Sequence, residues 1–149
     1  MKVSRRIPKE EKSVVLSVIA LAIAPMQQAL ATEDDAEARA QVMMSELMED
    51  GYTDVLHEAS SVLPPDGVTQ HQVHLQQGTT YAIYSTGDAR TTDIDLYVYG
   101  PSGGAPVAKD VELDTNPIVF YSPRESGPHD VHVANAGTTS GWNYTVVAF

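Results

Sequence analysis

Residues 93–99, Asp-Ile-Asp-Leu-Tyr-Val-Tyr, alternate without a break: Ile94, Leu96 and Val98 fall on one side, Asp93, Asp95, Tyr97 and Tyr99 on the other. A run with period two suits a strand with one dry and one wet face and gives a helix no apolar stripe. It stops at Gly100-Pro101-Ser102-Gly103-Gly104, a cluster of turn formers. The same grammar recurs down the chain. Val73 and Leu75 share a face in 70–75, and Tyr81, Ile83 and Tyr84 mark a strand in 79–85. Ile118 and Phe120 share a face in 117–121, and Val131 and Val133 in 129–135. In 142–149, Trp142, Tyr144, Val146 and Ala148 oppose Thr145, Val147 and Phe149. Shorter strands are expected near Val107 and at 111–113. Gly78, Gly87-Asp88, Ser126-Gly127-Pro128 and Asn135-Ala136-Gly137 supply the turns. Roughly six to eight short antiparallel strands within residues 68–149 imply an all-β domain built as a small β-sandwich.

The chain ahead of these strands has a different character. Lys2, Arg5, Arg6, Lys9 and Lys12 stand against only Glu10 and Glu11 in the first 31 residues. An apolar run at 14–24, broken only by Ser17, is too short for a hydrocarbon core of about 30 Å. It has the length of the apolar centre of a secretory signal. Ala29-Leu30-Ala31 places small residues where a signal peptidase reads them. The expectation is a signal peptide at 1–31 and an exported chain, secreted or periplasmic, with no stable membrane insertion after cleavage. Arg5-Arg6 is followed by Ile7-Pro8, a departure from a twin-arginine signal that leaves the export route open.

Residues 32–149 carry 18 acids against Arg39, Arg90, Lys109 and Arg124. That balance excludes a nucleic-acid partner, because nothing neutralises a run of phosphates. The absence of cysteine excludes disulfides, a thiolate metal site and a cysteine nucleophile. It fits an extracytoplasmic chain that does not depend on oxidative folding.

Residues 32–63 are expected to form a helical arm. Thr32 suits an N-cap, and Glu33, Asp34 and Asp35 sit where the helix dipole favours acids. Ala40, Met43, Met44, Leu47 and Met48 recur at helical spacing, and Val55, Leu56 and Ala59 prolong the pattern past a break at Gly51. Such a methionine stripe either fills gaps in its own fold or grips a partner. Pro64-Pro65-Asp66-Gly67 is expected to be a linker at 64–67.

Candidate chemistry is sparse. No Gly-x-Ser-x-Gly elbow occurs, and Ser85, Ser102 and Ser122 fall at strand edges or turns, so little supports a small secreted hydrolase. His71/His74 and His129/His132 are spaced i,i+3, which sends the members of each pair to opposite faces of a strand. His57 lies next to Glu58 with no His-Glu-x-x-His continuation. Asp93 and Asp95 share a face about 7 Å apart, and Asp88 comes from the preceding turn. Solvated acids and a hard cation such as calcium, which wants about six to eight oxygens, both fit this pattern. Tyr97 and Tyr99 share the outer face with the two acids, and Tyr121 joins them if its strand neighbours theirs. They form either cross-strand pairs or a platform for a protein or an extracellular polymer.

The stretches VHLQQGTTYAIYSTGD at 73–88, DIDLYVYGPSGG at 93–104, PIVFYSP at 117–123, GPHDVHVANAG at 127–137 and WNYTVVAF at 142–149 resemble, in order, the bacterial pre-peptidase C-terminal (PPC) domain. His129 departs from the tyrosine usual in the family's Gly-x-Tyr-x-Val pattern. The resemblance covers residues of about 68–149 and implies a jelly-roll-type sandwich standing alone as a secreted, non-catalytic module. Related collagen-binding modules imply calcium near the linker, with Asp93 and Asp95 as its pair and Asp88 beside them. The reading that results is a non-catalytic binding module for a protein or extracellular polymer, stabilised by calcium, with Tyr97, Tyr99 and Tyr121 on the ligand. Its alternative is a structural or accessory subunit that docks through the helical arm. The oligomeric state stays open.

Overall fold

The computed structural model describes residues 32–149; the expected signal peptide lies outside the described residues. One helix, α1 (Glu33–Glu49), precedes eight strands: β1 (Val55–Leu63), β2 (Val68–Leu75), β3 (Tyr81–Gly87), β4 (Ile94–Tyr99), β5 (Ala108–Asp110), β6 (Ile118–Tyr121), β7 (Gly127–Asn135) and β8 (Gly141–Ala148). They form two four-stranded antiparallel sheets, ordered β1-β8-β3-β6 and β2-β7-β4-β5. Successive strands alternate between the sheets in its first half and again at its end, the strand order of an eight-stranded jelly roll. The all-β, jelly-roll-type sandwich with an N-terminal helix is therefore the observed architecture.

The core between the sheets is built from the alternating residues. Leu75, Ile83, Ile94, Leu96, Val98, Val131, Val133 and Val147 are fully enclosed there. A second apolar layer lies outside the first sheet. Ala36, Ala40, Met44 and Leu47 of α1 pack on Ala82, Tyr84, Tyr144, Val146 and Ala148. This layer explains why β3 and β8 are buried on both faces. Two polar contacts fix the helix to the sheet: Tyr84 Oη donates to the Ala40 carbonyl at 3.0 Å, and Thr86 Oγ1 to the Ala36 carbonyl at 2.7 Å.

The helix begins as expected, with the Thr32 hydroxyl accepting the Asp35 N–H at 3.2 Å. It ends at the expected break. Gly51, at φ 100°, takes the left-handed position after the cap. Its N–H reaches the Met48 carbonyl and the Tyr52 N–H reaches that of Leu47, closing a Schellman motif. Residues 55–63, expected to be helical, are strand β1. The spacing of Val55, Leu56 and Ala59 fits either period over so short a run. Pairing with β8, from Val55 opposite Ala148 to Leu63 opposite Gly141, decides for the strand.

The stretch at 64–67 is a sheet-to-sheet corner rather than a linker between an arm and a domain. Asp66 has φ 59° and the Gly67 N–H donates to the Pro64 carbonyl at 2.8 Å, as in a type II turn. Asp66 and Gly67 also exchange backbone hydrogen bonds with Asn135, which ties the corner to β7.

Candidate binding face

The two outer faces of the sandwich are unlike. That of the first sheet lies under α1. That of the second carries the polar halves of β2, β7, β4 and β5, and none of the described elements packs over it. Register places its side chains in rows. Gln70, His132, Tyr97 and Lys109 are successive partners across the four strands. Gln72, Asp130 and Tyr99 form the next row. Within them, the Gln72 amide donates to Asp130 Oδ1 at 3.3 Å, and the rings of Tyr99 and His132 lie 4.6 Å apart, tilted by 48°.

Tyr97 and Tyr99 thus stand side by side on a rigid, half-exposed sheet. The Tyr97 hydroxyl donates to Asp95 Oδ2 at 3.0 Å, which fixes the ring against the strand. Burial first, then that bond and the Asp95 charge, push the Tyr97 phenol above its ordinary pKa, so it stays a neutral donor. His132 belongs to the same surface. The i,i+3 spacing correctly sends His129 inward and His132 outward, but only register shows that His132 meets the tyrosines.

Tyr121 lies elsewhere. Its strand, β6, is in the other sheet, opposite Tyr81 on β3, and the ring packs toward the inter-sheet core. It does not share a face with Tyr97 and Tyr99, because β6 neighbours β3 and not β4.

The acidic residues divide in a similar way. Asp88 is enclosed, and its carboxylate is occupied. Oδ1 accepts the Arg90 N–H at 2.9 Å and the Thr91 N–H and hydroxyl, each at 3.1 Å, while Oδ2 accepts the Trp142 N–H at 2.9 Å. This is a turn clamp between the β3 end and β8, and it leaves no oxygen directed to a cation. Asp93 and Asp95 remain a pair at the start of β4. Asp93 Oδ1 is shielded from solvent without a hydrogen-bond partner, and burial, then Asp95 and Asp114, push its pKa up. Among the described residues no three His, Asp or Glu side chains are grouped to hold a metal ion. With Asp88 committed to its own turn and to β8, the calcium expectation rests on Asp93 and Asp95.

His57 is not on a helix. On β1 it faces His71 of β2 across the seam between the sheets, with Nε2 3.2 Å from His71 Nδ1. The methionine stripe is likewise partly used: Met44 and Leu47 are buried against the chain's own first sheet, so they are not free to grip a partner.

No protein-family model matches the sequence, and no curated protein does. Among solved structures, the pre-peptidase C-terminal domain of a collagenase from Bacillus anthracis matches with a TM-score of 0.54 at 8% identity, over 62% of this chain and 89% of that one. The chain therefore has a PPC-like fold. A structure titled PirA is similar at 18% identity with a TM-score of 0.44, over 64% of this chain and 94% of that one. Among the described residues no helix is long and apolar enough to cross a membrane.

Proposed function

We propose that this chain is an exported, non-catalytic binding module that holds a protein or an extracellular polymer on the outer face of its second sheet, through Tyr97 and Tyr99. The observation that carries this reading is the asymmetry of the two faces. The chain covers one with its own helix and leaves the other uncovered, polar and aromatic. Neighbouring tyrosines on a rigid sheet give contact area at small entropic cost, and the amide and imidazole groups of Gln70, Gln72 and His132 add hydrogen bonds around them. Affinity rests on this surface because cations are scarce. Export is the part of the reading that the basic, apolar and small-residue order of residues 1–31 supports.

The test is cosedimentation of the purified protein with insoluble fibrillar collagen, chitin and cellulose. Retention on one of these should fall at least tenfold in Tyr97→Ala/Tyr99→Ala, as expected on losing a central aromatic pair, roughly 2 kcal/mol or more. The melting temperature should hardly move. Retention unchanged in the double variant, or no retention of the wild type on any of the three, overturns the assignment.

A further inference from the structure

A cleft of about 620 Å³ opens at one end of the sandwich, where the β4–β5 connection faces the loop after β6. Its size is that of a small-ligand site. Pro101 and Val107 give it apolar wall, and Ser102 and Ser122 line it with hydroxyls already in use: Ser102 Oγ donates to Glu125 Oε1 at 3.4 Å, and Ser122 Oγ lies 2.7 Å from Thr80 Oγ1. Arg124 and Glu125 bring charge, and Tyr121 completes the lining.

What stands behind Tyr121 sets its chemistry. His129 is fully enclosed. Its Nδ1 lies 3.0 Å from the Gly127 carbonyl oxygen, which can only accept, so the proton of the neutral ring is on Nδ1. Nε2 is then the acceptor, and the Tyr121 hydroxyl, 3.2 Å away, donates to it. With the phenolic proton turned to His129, Tyr121 Oη can meet a ligand in the cleft only as an acceptor. Burial, and then Glu125, raise the Tyr121 pKa against a smaller opposing effect of Arg124, so the phenol stays neutral.

Arg124 supplies the other half. It is one of four cations in residues 32–149, and the ion pair among the described residues is Arg39 with Asp35. Arg124 thus meets the cleft with no carboxylate of the described chain paired to it. A guanidinium takes a carboxylate through two parallel hydrogen bonds. The fixed acceptor at Tyr121, and the Glu125 carboxylate beside it, call for hydroxyl donors.

We propose that this cleft binds a hydroxylated carboxylate, such as a uronic acid unit of an extracellular polysaccharide. The carboxylate sits on Arg124, and ligand hydroxyls donate to Tyr121 Oη and to the Glu125 oxygen that Ser102 leaves free. The C–H face of the sugar rests on Pro101 and Val107. The site is separate from the Tyr97/Tyr99 face.

Titration of the isotope-labelled protein with glucuronate, glucose and sulfate, followed by amide NMR, tests it. Glucuronate should give saturable shifts at Ser102, Tyr121, Ser122 and Arg124. Glucose lacks the anion and sulfate lacks the hydroxyl donors, so each should bind at least tenfold more weakly. Arg124→Gln should erase the preference for glucuronate over glucose. Tyr121→Phe should weaken glucuronate about fivefold, the value of one hydrogen bond, and leave sulfate unaffected. Tyr97→Ala/Tyr99→Ala should leave the titration intact, so this result and that for the sheet face can fail independently. A glucuronate oligomer that binds more tightly than the monomer assigns the ligand to a polymer, and equal affinity assigns it to the free acid. No saturable shift in the cleft, equal binding of glucose or sulfate, or wild-type affinity in both single variants overturns the proposal.

Discussion

Acidifying the protein from pH 8 to pH 5 should loosen the seam between β1 and β2, where His57 and His71 share one proton. Their nitrogens are 3.2 Å apart and their ring centroids 5.0 Å. The outer nitrogen of His71, Nε2, is shielded from solvent and has no partner. Burial, then the His57 ring, lower the His71 pKa from its ordinary 6.5. No carboxylate offsets this. The β8 and β7 residues opposite the pair are Val147 and Val131. Glu58 is on the other face of β1, beside Tyr144, and His129 is turned to Tyr121 and Gly127.

The fold therefore favours neutral His71. Its contribution to stability is complete above about pH 6.5, the unfolded value, and is lost as pH falls below that toward the lower folded value. Two imidazolium rings 5.0 Å apart repel by about 1 kcal/mol in a water-like medium and about 3 kcal/mol at an effective dielectric of 20. Both rings are only part-buried, so solvent screens the pair and the lower figure applies, and loss of the shared hydrogen bond adds about 1 kcal/mol. The sum, about 2 kcal/mol, corresponds to a fall of roughly 6–8 °C in Tm. Urea unfolding of the wild type, His57→Gln and His71→Gln across this pH range isolates the effect, because the other titrating groups cancel in the difference. The wild type should lose about 2 kcal/mol more than either variant between pH 7 and pH 5. Parallel profiles, or an NMR titration that places His71 at or above 6.5, would refute the reasoning.

Asp88→Ala should cost at least about 3 kcal/mol in urea unfolding, because it strands the enclosed N–H groups of Thr91 and Trp142; a loss under about 1 kcal/mol would show that water replaces the carboxylate. Tyr84→Phe with Thr86→Val removes both polar ties to α1, which should cost about 2 kcal/mol and speed amide exchange within residues 33–49; unchanged exchange would place the whole grip in the apolar layer. Asp93→Asn should raise Tm at pH 7 by about 1–2 °C, since the ionised form is disfavoured above its raised pKa and that cost disappears on acidification. Unfolding in calcium and in chelator should superimpose, and a calcium-dependent rise lost in Asp93→Asn/Asp95→Asn would show that the pair holds the cation after all.

Where periodicity was long and clean, sequence and structure agree. Residues 93–99 bury the three apolar members of their alternation and leave the other four part-buried on the outer side. The charge pattern around Thr32 and the glycine at 51 mark the two ends of α1. Residues 55–63 were not legible, because their apolar spacing fits either period and the deciding term is a ladder to β8, some eighty residues on. The site shows the same division. The pairing of Tyr97 with Tyr99, and the opposite faces of His129 and His132, follow from a two-residue repeat. Strand order is invisible to that repeat, so the grouping of Tyr121 with Tyr97 and Tyr99 hung on a neighbour relation that β6 does not have, and the meeting of His57 with His71 was not legible. Asp88 looked like a cation ligand because a side chain's hydrogen-bond partners are not written in its neighbours.

The sequence by itself determined the class of this protein: period-two strands between glycine-rich turns must pair and bury one face, and the acids and missing cysteines limit what that sandwich can hold. Only the tertiary structure decided which outer face α1 covers, which tyrosines stand together, and that Tyr121 backs onto His129 beside a cleft. These depend on which strands become neighbours, a choice set by long-range hydrogen-bond ladders and complementary packing that no local stretch of the chain encodes.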